Sequence, residues 1–364
     1  MILHRYFARR FTFSFLGVFA VFVMILTFID FVDQLRRYAN ADASLAEIAV
    51  LTLLQTPESI YGILPLIMIL ATITLFLGLA RSSELVVTRA AGRSGLRALM
   101  APLVVAFLIG VLAVAVMNPI VAATQRQAEA RIDALKGESS VLSLGSTGLW
   151  LRQGNDDQQT VIQADSANLD GTELNGVTFI SFDRTVGPIQ RIEAARAELV
   201  AGAWVATNAK LWPLSGNTTP EAAASLHPQL TIPSTLTADQ IRDSFGTPSS
   251  IPIWDLPQFI DRLRAAGFSA QRHEVWFQME LAMPAFMAAM MLIGAAFTMR
   301  HQRGGRVGLM VLMAIMFSFA IYFLRNFAQI LGENGQLPAA LAAWAPPLAA
   351  IGLSLGFLLH QEDG

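Results

Sequence analysis

The sequence has no cysteine, only two lysines and little charge of either sign, and each shortage removes a class of function. Without cysteine there is no disulfide framework, no thiolate metal site and no cysteine nucleophile. The lysines, Lys136 before Gly137 and Lys210 before Leu211, exclude a P-loop, whose lysine is followed by Ser or Thr and reaches the nucleotide phosphates. Any ATP that drives this protein is therefore hydrolysed by a partner, and no cofactor is expected in the chain itself. A net charge of −2 lacks the basic face that neutralises nucleic-acid phosphates, so no nucleic-acid partner is expected. Charged residues are 14% and hydrophobic residues 54% of the 364, against roughly 25% charged in soluble domains. Such a chain belongs in a membrane.

Six apolar stretches, 11–31, 59–80, 99–118, 276–298, 307–329 and 337–359, have the length of about 20 residues that crosses a bilayer. The first follows Arg5, Arg9 and Arg10 and precedes Ala39-Asn40-Ala41, as a secretory signal would. Its length exceeds a signal-peptide core of roughly 7 to 15 residues, so it reads as an uncleaved span. Arg5, Arg9 and Arg10, then Arg81, Arg89, Arg93 and Arg97, then Arg300, Arg303 and Arg306 all fall on one side; the opposite short loops offer Arg36 and Arg37 and nothing basic between Gly332 and Pro338. Basic loops stay in the cytoplasm. Both termini are expected there, with the long polar insert on the opposite side of the membrane.

The insert reads as β. Val177-Thr-Phe-Ile-Ser-Phe182 alternates, Gly202-Ala-Trp-Val-Ala206 and Ala209-Lys-Leu-Trp-Pro213 follow at short intervals, and Asp170-Gly171 and Asn175-Gly176 punctuate them. Short regular strands suggest a sandwich or jelly roll. Leu256, Phe259, Ile260 and Leu263 then share a helical face, with Asp255 as N-cap and Gly267 as stop. The expected fold is a membrane α-helical protein of six transmembrane helices, three and three, around an all-β jelly-roll-like domain: residues 1–124, 125–270 and 271–364. Ser44-Leu-Ala-Glu47 has capping-box spacing and predicts a short helix leading into the second span.

Few motifs carry chemistry. His273-Glu274-Val-Trp-Phe277 starts like a zinc-protease helix but has Phe277 where the second histidine belongs. Gly145-Ser-Thr-Gly148 lacks the spacing of a nucleophile elbow. No catalytic residue emerges, and a non-enzymatic subunit is expected. Arg81-Ser-Ser-Glu-Leu-Val-Val-Thr-Arg-Ala-Ala-Gly92 reads as a short cytoplasmic helix with Glu84 in its first turn. Glu84 there either only steadies the helix dipole, worth about 0.3 to 1 kcal/mol, or belongs to a coupling helix that docks in an ATPase. Charges at membrane depth cost roughly 2.5 to 3.5 kcal/mol each at a helix centre and mark pathways. Asp30 ends the first span, Glu280 lies a turn inside the fourth, and Arg325 with Tyr322 lies near the outer end of the fifth; snorkelling is the simpler alternative. Asp30 and Arg325 are expected to compensate one another, with a residue of a partner chain as the alternative for Asp30. Arg325, Arg36 and Arg37 would then present guanidinium groups suited to phosphate.

On three motifs, Phe31-Val-Asp-Gln-Leu-Arg-Arg37, Arg81–Gly92 and Gly148-Leu-Trp-Leu-Arg152, the chain resembles over essentially its whole length the LptF/LptG family of lipopolysaccharide export permeases. The resemblance implies a heterodimer with an LptF-like paralogue, a pair of LptB-like ATPase subunits, LptC and LptA-like periplasmic bridge proteins, and lipopolysaccharide as cargo. It implies that Glu84, flanked by Arg81 and Arg89, is the coupling-helix glutamate, and that spans 1 and 5 gate a cavity between the two permeases. Asp30 departs from the basic residue many members carry there, which argues against a phosphate contact at that position. Physics supports a β domain in such a system: an acyl chain of about a dozen carbons costs on the order of 10 kcal/mol to expose to water at ~0.8 per CH₂. Two rivals are a scaffold protein whose β domain recruits partners, and a lipoprotein-release-type permease, in which the soluble domain follows the first span rather than the third.

The topology is tested by single cysteines at Ser94 and Ser215, which an impermeant thiol reagent should label from opposite sides of the membrane; labelling from one side contradicts it.

Overall fold

The computed structural model describes residues 2–38, 44–84, 87, 94–136, 142–145, 148–154, 158–168, 171–183, 186–215, 220–234, 236–237, 241, 247–265, 268–299 and 307–363. They form α1 (Ile2–Arg37), α2 (Leu45–Arg81), α3 (Gly95–Leu112), a π-helical turn (Ala113–Met117) and α4 (Asn118–Lys136). Seven strands follow: β1 (Leu142–Gly145), β2 (Gly148–Gly154), β3 (Gln158–Ala167), β4 (Glu173–Asp183), β5 (Gly187–Val200), β6 (Ala203–Pro213) and β7 (Ser225–Pro233). The chain ends with α5 (Leu256–Ala265), α6 (Gln271–Thr298), α7 (Val307–Glu333) and α8 (Ala339–Asp363). Among the described residues six helical runs are long and apolar enough to cross a bilayer, and the all-β insert lies between the third and fourth, as expected. Two compact units result, Met1–Arg131 with Ser249–Leu256 and Gln271–Gly364, and Ile132–Pro248 with Pro257–Ala270.

The helices outrun their apolar cores. The Ser44 hydroxyl accepts from the Glu47 N–H at 3.3 Å while the Glu47 carboxylate accepts from the Ser44 N–H at 2.7 Å. This capping box starts one continuous helix of 37 residues, so the short helix and second span expected as separate pieces are the same element. The third run passes beyond residue 118 through the π-turn, where the Asn118 N–H reaches the carbonyl of Ala113. Pro119 explains the widening: it has no N–H to donate and its ring crowds the carbonyl four residues back.

Within the helical unit α6 is the most enclosed span and α1 and α7 the least. Small residues set how closely α6 is approached. A Cβ on Gly110 of α3 would lie 2.5 Å from Cα of Pro284, and one on Gly294 would lie 2.9 Å from Cβ of Thr72 in α2. Close backbone contact of this kind replaces the hydrophobic drive that lipid does not supply between helices. By contrast, Met24 and Phe28 of α1 and Phe323 of α7 are exposed.

The β unit is a single antiparallel sheet in which strand order follows chain order, β1 to β7. Its buried face carries Leu151, Ile162, Phe179, Ile192 and Trp204, with Phe179 and Trp204 edge to face at 6.4 Å. At about 4.8 Å per strand a flat sheet would hold β2 and β7 roughly 24 Å apart. Yet the Gln153 amide of β2 donates to the carbonyl of Pro233 in β7 at 3.0 Å and accepts from the Ser234 hydroxyl at 2.6 Å. The sheet therefore curls until its two ends meet around an apolar interior. Two local expectations change. The pieces 202–206 and 209–213 are one strand, β6, bent at Asn208, whose φ of 53° sets the burial pattern over by one residue: Trp204 and Ala206 are buried before it, Ala209 after. Asn175-Gly176 lies inside β4. Gly176 suits its place because its φ of 60° is left-handed and the Asp165 carboxylate stands where a Cβ would go. The amphipathic helix forms as α5, with Leu256, Ile260 and Leu263 buried; its expected stop, Gly267, lies outside the described residues.

Gly110→Ala should lower the thermal stability of the purified protein in detergent by about 1 to 3 kcal/mol, the usual cost of overpacking. Gly17→Ala, which meets nothing within 4 Å, should be near neutral; equal effects would show that the α3–α6 approach is not the cause.

Candidate functional site

The segment after α2 turns back on itself at Ser83, which has a left-handed φ of 57°, and brings Glu84 against α1. The Arg10 guanidinium donates to Glu84 Oε1 at 2.5 Å, the Tyr6 hydroxyl donates to Oε2 at 2.8 Å, and the Ser82 hydroxyl donates to Oε1 at 2.7 Å. Arg10 also donates to the Tyr6 hydroxyl at 2.6 Å. Partial burial opposes ionisation of Glu84, but the hydrogen bonds from Arg10, Ser82 and Tyr6 outweigh it and hold the carboxyl below its usual range. A carboxyl lowered in this way keeps the contact at neutral pH and loses it only as pH falls through that lowered value. With both side chains about a third exposed, a pair of this kind is worth roughly 0.2 to 1 kcal/mol, too little to matter as a staple of the fold. Arg81 is exposed in the last turn of α2. Of the expected helix over 82–92 only Ser82, Ser83, Glu84 and Val87 are among the described residues, and Arg89 lies outside them.

Nearer the Arg37 end of α1, polar residues fasten it to α2. Thr27 meets Thr56 at 3.5 Å, Ser59 donates to Asp30 at 2.9 Å, and the Gln34 amide donates to Gln55. Thr27, Asp30 and Gln34 recur at helical spacing on one face, a signal present in the sequence that reading Asp30 alone missed. Asp30 does not end the helix, which continues to Arg37. The expected pair between Asp30 and Arg325 is not formed within this chain, because Ser59 takes Asp30. Arg36 and Arg37 occupy the last turn of α1, where Arg37 pairs with Asp33 at 3.2 Å.

A third constellation was legible only in part. Glu280 of α6 is 2% exposed and does not snorkel: it accepts the hydroxyl proton of Tyr61 in α2 and is reached by the Asn118 side chain. Asn118, just past the π-turn, also accepts from the backbone N–H of Ile253 at 2.9 Å. Arg325 of α7 lies close enough to Glu280 and Tyr61 to interact electrostatically, with its guanidinium 5.0 Å from the ring centroid of Phe286. The Tyr322 hydroxyl donates to the carbonyl of Gly62 at 3.1 Å. Tyr61, Asn118 and Phe286 had no distinguishing sequence context. Among the described residues no group of three or more His, Asp or Glu side chains is placed to hold a metal.

Residues 5–360 match the family described as lipopolysaccharide export system permease LptF/LptG. The chain is similar to the lipopolysaccharide export system permease protein LptG of Escherichia coli, 24% identical over 368 residues, and to that of Haemophilus influenzae, 24% identical over 370 residues. In both cases 99% of each chain is covered.

Removing one partner of a buried hydrogen bond leaves the other unsatisfied, at about 1 to 3 kcal/mol. Tyr61→Phe should lose that much in detergent-monitored unfolding, and Tyr322→Phe, whose hydroxyl is exposed, under about 1 kcal/mol. The reverse order would contradict the buried node.

Proposed function

The chain belongs to the LptF/LptG family of lipopolysaccharide export system permeases, and from that premise we propose that it is the membrane subunit of an ABC transporter that extracts lipopolysaccharide from the inner membrane and passes it toward the outer membrane. The observation that carries this is the family match from residue 5 to 360, which runs through both helical halves and the insert between them. A chain without a P-loop needs a separate ATPase, here an LptB-like dimer beneath the cytoplasmic face, with both termini on that side and the β unit in the periplasm. The least enclosed spans, α1 and α7, expose apolar faces suited to a seam with an LptF-like paralogue, where lipid enters. The curled sheet offers acyl chains an apolar interior, and its continuation would be LptC and LptA-like bridge proteins.

Glu84, with Arg81 and Arg89, serves as the coupling element. On the lipid path, Arg325 is the strongest candidate for a phosphate contact, since its charge already lies beside Tyr61 and Glu280 within the helices and guanidinium binds phosphate in bidentate fashion. Tyr322, Arg36 and Arg37 remain secondary candidates there; Asp30 acts as a fastener of α1 to α2. The scaffold reading predicts a complex that assembles without moving lipid.

The test is co-reconstitution with the paralogue and the ATPase in proteoliposomes containing lipopolysaccharide, scoring ATP-dependent release to a soluble bridge protein. Release should occur; a complex that assembles and hydrolyses ATP without release contradicts the proposal. Arg325→Ala should slow release by about tenfold, the loss for ~1.4 kcal/mol of transition-state stabilisation, and normal release would remove its phosphate role.

A further inference from the structure

The hydrogen bonds around Glu84 point inward. Among the described residues three side chains donate to its carboxylate, and two of them come from α1. They close a ring in which Arg10 donates to both Glu84 and Tyr6 while Tyr6 donates to Glu84. Tyr6 and Arg10 are four residues apart and so share one face of the helix, and the guanidinium also lies 5.7 Å from the Tyr6 ring centroid. On the other side of the contact, Ser83 adopts a left-handed backbone that a non-glycine residue rarely takes, and this turn is what directs Glu84 toward α1. Local strain held at one residue and a closed polar ring converge on the same carboxylate.

We infer that Arg10 and Tyr6 are positioning residues that tie the segment bearing Glu84 to α1, so that a movement the ATPase imposes on this segment is delivered to α1. The inference rests on the coupling role proposed for Glu84 and adds where the movement goes. α1 suits the task mechanically. It is a continuous helix of 36 residues, about 54 Å long at 1.5 Å per residue, and its membrane stretch is the least enclosed of the six. The tie lies at one end of the rod, where Phe7 and Phe11 are buried, and a continuous helix displaced there carries the movement along its length.

The complete complex in lipopolysaccharide-containing proteoliposomes tests this, with ATPase copurification, ATP hydrolysis and lipid released per ATP measured together. Arg10→Ala should keep the ATPase subunit bound and hydrolysing while release per ATP falls at least about fivefold, the lower end of typical coupling between sites. Arg10→Lys should retain most of the release, and Arg10→Ala combined with Glu84→Ala should be no worse than Glu84→Ala alone. Normal release per ATP by Arg10→Ala beside an impaired Glu84→Ala overturns the link to α1 and leaves the coupling role standing. If Glu84→Ala matches the wild type in copurification, hydrolysis and release, the coupling role itself fails. Should Arg10→Ala not accumulate, Arg10→Gln, which keeps most of the side chain's length and loses its charge, takes its place: a fall in release per ATP with the ATPase subunit still bound supports the tie, and normal release beside an impaired Glu84→Ala overturns it.

Discussion

A polar group inside hydrocarbon has no water to turn to, and leaving it without a partner costs several kcal/mol. The polar side chains of α1, α2 and α6 pair across helices: Asp30 with Ser59 and Tyr61 with Glu280 within the apolar stretches, and Thr27 with Thr56 and Gln34 with Gln55 at and beyond their edge. Each pair also fixes which helices are neighbours and in what register. Hydrophobic burial cannot do this alone, because lipid tails are as apolar as the side chains. Close glycine contacts and buried polar pairs therefore define the helical unit, and the apolar surface left over on α1 and α7 is where a second permease or a lipid would lie.

The β unit answers the converse problem. An acyl chain in water is as unwelcome as a charge in lipid, and the curled sheet keeps its apolar row, from Leu151 to Trp204, turned inward. In this structure that interior is filled by its own side chains, with Ile162, Phe179 and Trp204 fully buried. On the function proposed above, an acyl chain would enter only if the curl loosened, and the Gln153 contacts to Pro233 and Ser234 are what hold β2 to β7.

Where apolar length and period decided the structure, the sequence was readable. The six spans, the all-β insert, the capping box at Ser44 and the amphipathic α5 follow from patterns that physics imposes within a few residues of chain. Other features depended on partners distant in sequence. Glu280 resembled an interfacial charge until Tyr61, 219 positions away, was placed beside it. Glu84 resembled an ordinary helix start until Arg10 and Tyr6 arrived from α1. Within this chain Asp30 accepts from the hydroxyl of Ser59, 29 positions away, a contact its charge alone did not suggest. The continuity of β6 was hidden by Asn208, which looks like a turn residue and instead bends a strand.

The central claim is that lipid travels through the inside of the curled sheet, driven by ATP hydrolysed elsewhere in the complex. The most direct measurement places a photo-cross-linking amino acid at Phe179 or Ile162, on the inner face, and at Thr178, on the opposite face of the same strand as Phe179. The account predicts lipopolysaccharide adducts at the inner positions that depend on ATP, with Thr178 remaining unlabelled. Labelling at Thr178 without labelling at Phe179 or Ile162 would contradict it.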